Sequence, residues 1–170
     1  ADCILNRIPD ENRIKKNWKP RGEEGYIEYL SSIEDLPLHK GEWLILARYN
    51  DRLERLKPLL REMGIYFSFK GRKSFKVRLY KAIQNREMLR YGEELSNDAR
   101  VELSTIHSAK GGESENVIII LDNTKMIRES AEKNQEKQDE EHRVWYVGVT
   151  RSRQNLYIMT AKKEANGYDI

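Results

Sequence analysis

The sequence predicts an α/β domain: a parallel sheet with helices on both of its faces. Two short runs, Trp43-Leu-Ile-Leu-Ala47 and Val117-Ile-Ile-Ile-Leu121, are apolar at every position, as strands buried on both faces are. Around them, other strand-like runs alternate with segments whose apolar residues recur at helical spacing, the order expected of strand–helix–strand units. The 170 residues make one domain with room for a sizeable core.

Taken in order, Ile4, Leu5 and Ile8 read as the tail of an amphipathic helix. The chain opens on Ala1 without a Met, like a cut through a longer polypeptide. Lys15 to Gly25 is basic, then turn-like, punctuated by Pro20 and Gly22. Gly25–Leu30 alternates like a strand, and Ser31–Gly41 is a connection with a helical turn at Ser32–Leu36. After the Trp43–Ala47 strand, Asp51 is placed to cap a helix running to Met63, with Leu53, Leu56, Leu59 and Leu60 on one face, a kink expected at Pro58 and a stop at Gly64. Ile65–Phe69 reads as a strand, and Gly71 leads to a helix from about Ser74 to Arg90. Gly92–Asp98 is a polar loop, and Val101–Ile106 and Val117–Leu121 are strands. Asn123–Asp139 is charge-dense, an exposed helix or a mobile loop. Glu140–Val149 is helical, Asn155–Thr160 is the last strand, and the tail to Ile170 is loose.

Charged residues make up 35% of the chain and hydrophobic ones 38%, so the domain carries a heavily charged surface. The single cysteine, Cys3, excludes an internal disulfide framework and a zinc site of its own, and points to a reducing compartment. No apolar run approaches the ~18 residues of a membrane span, and no signal-peptide pattern opens the chain. A net charge of +3 is too small to imply nucleic acid by itself. Between Lys70 and Arg90, however, eight basic residues face one acid, Glu87, with Phe75 and Tyr80 among them. That run either tracks a phosphate backbone or is a solvated helix face.

In open α/β sheets, ligands bind at the carboxyl ends of strands. Arg48 follows Trp43–Ala47 at that edge, and His107–Glu113 follows Val101–Ile106 at the same edge. Ser108, Ala109, Gly111 and Gly112 are small enough to let a ligand meet the backbone, with His107 and Lys110 adding a donor and a charge. Taken alone, such a loop is more often a turn. Arg151 and Arg153 follow a helix with a buried last turn, which holds their roots so that they can reach a phosphoryl group as a rigid fork. The bland alternative is a surface pair with Glu140 or Glu141.

Three segments together resemble a known family. Leu44–Arg55, Val101–Glu113 (with Thr-Ile-His-Ser-Ala-Lys-Gly-Gly-Glu at 105–113) and Glu140–Arg151 (Glu-Glu-His-Arg-Val-Trp-Tyr-Val-Gly-Val-Thr-Arg) resemble motifs IV, V and VI of the carboxyl-terminal motor domain of UvrD/Rep/PcrA-type superfamily-1 DNA helicases. The likeness spans roughly residues 15 to 161. It implies a RecA-like fold across residues 1–170 and, for the parent chain, an ATP-dependent, Mg²⁺-using DNA helicase. Arg48 and Arg151 match the two arginines that this family directs at the γ-phosphate of ATP, where an inserted arginine is worth roughly 10³–10⁵ in rate in comparable systems. Glu113 matches the acid that meets the ribose, beside Gly111 in the nucleotide loop. Thr105 and His107 match contacts to single-stranded DNA phosphates, and Lys110 lies in the loop linking the two sites. The Ser-Ala-Lys-Gly wording resembles the 3′-to-5′ branch. The implied partners are single-stranded DNA and an amino-terminal RecA-like domain of the same chain, with no membrane, in the cytoplasm of a bacterial or phage-infected cell.

The departures are specific. Ala47 stands where many relatives have a tyrosine that stacks on adenine, which leaves base selectivity weak or supplied elsewhere. Gly112 and Ser114 replace the usual Leu and Phe of motif V. The family's large inserted subdomain is absent or was removed, with only Gly92–Arg100 in its place. No Gly-x-x-x-x-Gly-Lys-Ser/Thr phosphate loop occurs anywhere. The chain therefore holds half an ATP site and is expected to be inactive alone. The competing reading is a non-catalytic RecA-like module that binds DNA or protein.

Overall fold

The computed structural model describes residues 1–15, 22, 24–74, 99–109, 111–160 and 167–168. Among them, strands run over Ile27–Leu30 (β1), Trp43–Ala47 (β2), Phe67–Phe69 (β3), Arg72–Lys73 (β4), Val101–Thr105 (β5), Ser114–Leu121 (β6) and Ser152–Thr160 (β7). Helices run over Asp2–Leu5 (α1), Asn50–Glu62 (α2), Lys125–Lys133 (α3) and Gln135–Val149 (α4). The sheet order is β1-β7-β6-β2-β5-β3-β4, parallel throughout except for β4. The expected α/β fold with a parallel sheet is what forms.

β2 is central and shows why its run is apolar throughout. Trp43, Ile45 and Ala47 enter one core with Leu53 and Leu60 of α2, while Leu44 and Leu46 enter the other with Trp145 and Val149 of α4. The period-2 alternation of a strand thus feeds two cores, with Ile118 and Ile120 of β6 on the first side and Val117, Ile119 and Leu121 on the second. α4 lies close to the sheet because residue 148 is glycine. A Cβ there would stand 2.6 Å from Ile119 Cδ1 and 3.3 Å from Ile106 Cδ1.

Some local expectations hold and others are corrected. Asp51 is not the cap of α2: Tyr49 holds that position, and Asp51 sits in the first turn, paired with Arg55 at 3.0 Å. Pro58 lies within one continuous helix. The stop at Gly64 (φ +67°) is a Schellman closure, with Ile65 N–H donating to Leu60 O at 2.8 Å and Gly64 N–H to Arg61 O at 3.0 Å. β3 turns back into β4 through Lys70 and Gly71, both with positive φ (52° and 68°), the geometry of a two-residue type I′ hairpin turn. Asn123–Asp139 holds two helices rather than one: α3 ends at Lys133, and Asn134 caps α4 by accepting from Lys137 N–H at 3.2 Å. The helix expected from Ser74 to Arg90, the loop at 92–98 and most of the basic run lie outside the described residues.

The end of the chain is docked where it is described. Gly167 bridges Asp122 beyond the end of β6, and the Tyr168 ring stacks on Trp145 with centroids 4.9 Å apart. Burial pushes the Tyr168 phenol up to about 12, and its hydroxyl shares a hydrogen bond with His142 Nδ1 at 2.6 Å. Burial first, and the nearby charge of Arg7 second, hold His142 below the ordinary histidine range. A histidine depressed in the folded state leaves stability intact above its unfolded value of ~6.5 and removes it as the pH falls toward the folded value. His142→Gln should therefore shrink the loss of unfolding free energy between pH 7.5 and pH 5.5, read by urea denaturation. An identical loss in both proteins would contradict this.

Candidate functional site

At the carboxyl edge of the sheet, β2 delivers Arg48 into a fork with Glu141 of α4. Nε donates to Oε2 at 3.3 Å and NH2 to Oε1 at 2.7 Å, and both side chains are shielded, with exposures of 14% and 10%. Burial disfavours the charged guanidinium, but the hydrogen bonds and charge of Glu141 outweigh this and hold the Arg48 pKa above its ordinary value. The Tyr49 ring lies 5.3 Å from the Arg48 guanidinium carbon. The remaining arm, NH1, meets His107 Nδ1 at 3.1 Å. A guanidinium can only donate, so Nδ1 accepts and the ring is neutral with its proton on Nε2. Burial, and then the charge of Arg48, lower the His107 pKa against an opposing pull from Glu141.

Thr105, at the end of β5, is used locally. Its Oγ1 contacts Ser108 Oγ at 2.9 Å and accepts from Ser108 N–H at 3.2 Å, while Thr105 O accepts from Ala109 N–H at 3.0 Å. This turn starts a crossing from one sheet edge to the other. Ile106 and Ala109 pack into the core under α4, and the chain emerges at the amino end of β6. Residues 107–113 thus do not share one edge, as the sequence reading placed them. Lys110 lies outside the described residues.

The amino edge holds the other expected residues. Gly111 has φ +92°, the left-handed region that favours glycine. Gly112 O accepts from Arg151 NH1 at 3.2 Å, and Ser114 N–H donates to Arg151 O at 3.0 Å. Arg151 also donates from Nε to Val147 O (3.0 Å), a last-turn carbonyl of α4, and from NH2 to Thr150 Oγ1 (3.3 Å). All three acceptors are neutral, and no carboxylate among the described residues forms an ion pair with Arg151. Next to Gly112 opens a cavity of about 610 Å³ lined by Glu42, Glu102, Glu113 and Glu115, with Arg100 and Trp43; it reaches Ser108 and Ala109 of the crossing, and Arg151 does not itself line it. Arg153 is a surface residue paired with Glu42 at 2.9 Å.

The structure therefore groups the expected residues in two sets. Arg48, Thr105 and His107 lie at the carboxyl edge; Gly111, Glu113 and Arg151 lie at the amino edge. Registers Ala47↔Ile120 and Ser114↔Ser152 place the neighbours of Arg48 and Arg151 six residues of β6 apart in level, about 20 Å. Sequence reasoning offered Glu141 only as a surface partner for Arg151 or Arg153 and missed it as the partner of Arg48. The signal was its position four residues before Trp145, which puts a carboxylate on the buried stripe of α4.

The fold is thus a parallel sheet flanked by helices, with Arg48 and Arg151 near opposite ends of its strands. Residues 11–163 match the UvrD-like helicase C-terminal domain family, and the chain belongs to that family. A stretch of 59 residues is 41% identical to the ATP-dependent DNA helicase Rep of Buchnera aphidicola subsp. Schizaphis graminum, covering 35% of this chain and 9% of that protein. The chain thus matches only a small part of that relative's length. No solved structure gives a significant match.

The shielded fork yields a direct expectation. Arg48→Ala or Glu141→Ala alone strands a shielded charge and should cost about 3–5 kcal/mol. The double variant should cost far less than the sum of the two in urea denaturation. Additive losses would show that the fork contributes nothing.

Proposed function

We propose that this chain is the second motor domain of an ATP-dependent 3′-to-5′ single-stranded DNA translocase or helicase. The observation that carries this reading is Arg151: a guanidinium rooted on neutral acceptors at the amino edge, its charge left for an anion. In this reading ATP sits between that edge and an amino-terminal RecA-like domain. That domain supplies the phosphate loop this sequence lacks and holds Mg²⁺; among the described residues no three acidic, histidine or cysteine side chains are grouped to hold a metal ion.

The residues present suit the roles left to them. Arg151 stabilises the negative charge that spreads over the transferred phosphoryl oxygens. The carboxylate-lined cavity repels phosphates but can accept hydrogen bonds from sugar hydroxyls, so Glu113 faces the ribose and the phosphates lie toward Arg151. Arg48, neutralised by Glu141 and about 20 Å away in level, organises the opposite edge instead of sharing the phosphate. There, His107 donates from Nε2 to a DNA phosphate, with Thr105 shaping the turn and Lys110 in the linking loop. Such a grip is on the backbone, so it is sensitive to salt and indifferent to sequence. Closure of the cleft on ATP displaces the 106–113 segment, and with it the DNA contact. No helix among the described residues is long and apolar enough to cross a membrane.

In the parent protein, with its phosphate-loop domain present, Arg151→Ala should lower DNA-stimulated ATP turnover by roughly 10³-fold or more. Affinity for an oligo-dT strand should stay within about twofold, because phosphate grip resides at the other edge. Undiminished turnover would exclude the motor role and favour a binding module.

A further inference from the structure

We propose that Glu141 is a positioning residue for single-stranded DNA binding, acting through Arg48 to fix the His107 ring with its Nε2–H toward the ligand. The proposal rests on the reading of His107 as a phosphate contact and adds the device that makes it one. His107 is exposed, and its Nδ1 is occupied by Arg48 NH1 at 3.1 Å, so Nε2 is the ring's remaining polar atom. Arg48 can hold Nδ1 only because its other arms are fixed: Nε and NH2 both end on Glu141, at 3.3 and 2.7 Å. The three residues come from the end of β2, the turn after β5 and the first half of α4, segments that no local hydrogen bonding would keep in register.

The charges acting on this group are those of Arg48 and Glu141, with a smaller contribution from Glu140, and Tyr49 packs beside the guanidinium. Without the Glu141 carboxylate the guanidinium loses both of its charge-assisted bonds and leaves Nδ1. The imidazole then averages between its two tautomers and turns about its side-chain torsions, so the donor is no longer pre-set for a phosphate. Pre-orientation of this kind lowers the ordering cost of binding without adding a contact to the ligand.

The experiment measures affinity for a dT₁₆ oligonucleotide at one fixed salt concentration, together with the ¹⁵N resonances of the His107 ring at pH 7.5. Glu141→Gln keeps the size of the side chain and removes its charge; Arg48→Lys serves as a second variant that cannot form the fork. In the unaltered chain, Nδ1 should resonate as an unprotonated nitrogen and Nε2 as a protonated one. In both variants the two resonances should move toward each other, and affinity should fall about three- to tenfold, the net worth of one ordinary hydrogen bond. His107→Ala should weaken binding to the same degree, and His107→Ala with Glu141→Gln should be no weaker than His107→Ala alone. Unmoved ring resonances in Glu141→Gln, or losses that multiply fully in the double variant, would overturn the positioning role. Unchanged affinity in His107→Ala would instead remove the phosphate contact itself, and the proposal with it.

Discussion

Because β5 and β6 are parallel, the eight residues from Ile106 to Glu113 must carry the chain from the carboxyl edge of the sheet back to its amino edge, past the intervening β2. Thr105 and Ile120 both pair with Ala47, so the crossing descends the length of β6 from Ile120 to Ser114, about 20 Å, within a span that even fully extended reaches only about 30 Å. There is little slack. A turn closed by Thr105 and Ser108 fixes one end, and the Arg151–Gly112 and Ser114–Arg151 bonds fix the other. The same eight residues therefore join the two candidate sites covalently, and α4 holds them against the sheet.

α4 serves both ends of that crossing. Its buried stripe contributes Glu141 near the carboxyl edge, Trp145 in the core and Gly148 where the helix rests on Ile106 and Ile119. Its last turn then presents Arg151 at the amino edge, with Val147 O as one anchor. A rigid helix with a different arginine system at each end is a simple physical means of making two sites about 20 Å apart respond together. The two arginines differ in how their charge is treated: Arg48 is neutralised by a shielded carboxylate, while Arg151 rests only on neutral acceptors.

Much of the fold was legible because burial on both faces leaves an unmistakable pattern. β2 and the Val117–Leu121 part of β6, apolar throughout, were readable as buried strands, and the family resemblance rested on the residues around them. What was not legible depends on partners distant in sequence. The β3–β4 hairpin turns on Lys70-Gly71, which lacks the Asn or Asp that usually marks such a turn. The break at Asn134 looks like any polar residue in a charged run, and the tail looked loose because the Trp145 ring that receives Tyr168 lies far back in the chain. The candidate residues were readable one by one, but their division between two edges was not. Only strand register shows that Arg48 and Arg151 stand at different levels, and only packing shows that Glu141 lies inward.

In the proposed division, nucleic acid meets the carboxyl edge of the sheet and nucleotide its amino edge. Amide chemical-shift mapping of this chain during titration with oligo-dT tests it most directly. Shifts should concentrate at Arg48 and Thr105–Ser108, with Gly112, Glu113 and Arg151 nearly still. Shifts centred on Gly112, Glu113 and Arg151, with the Arg48–His107 pair unmoved, would contradict it.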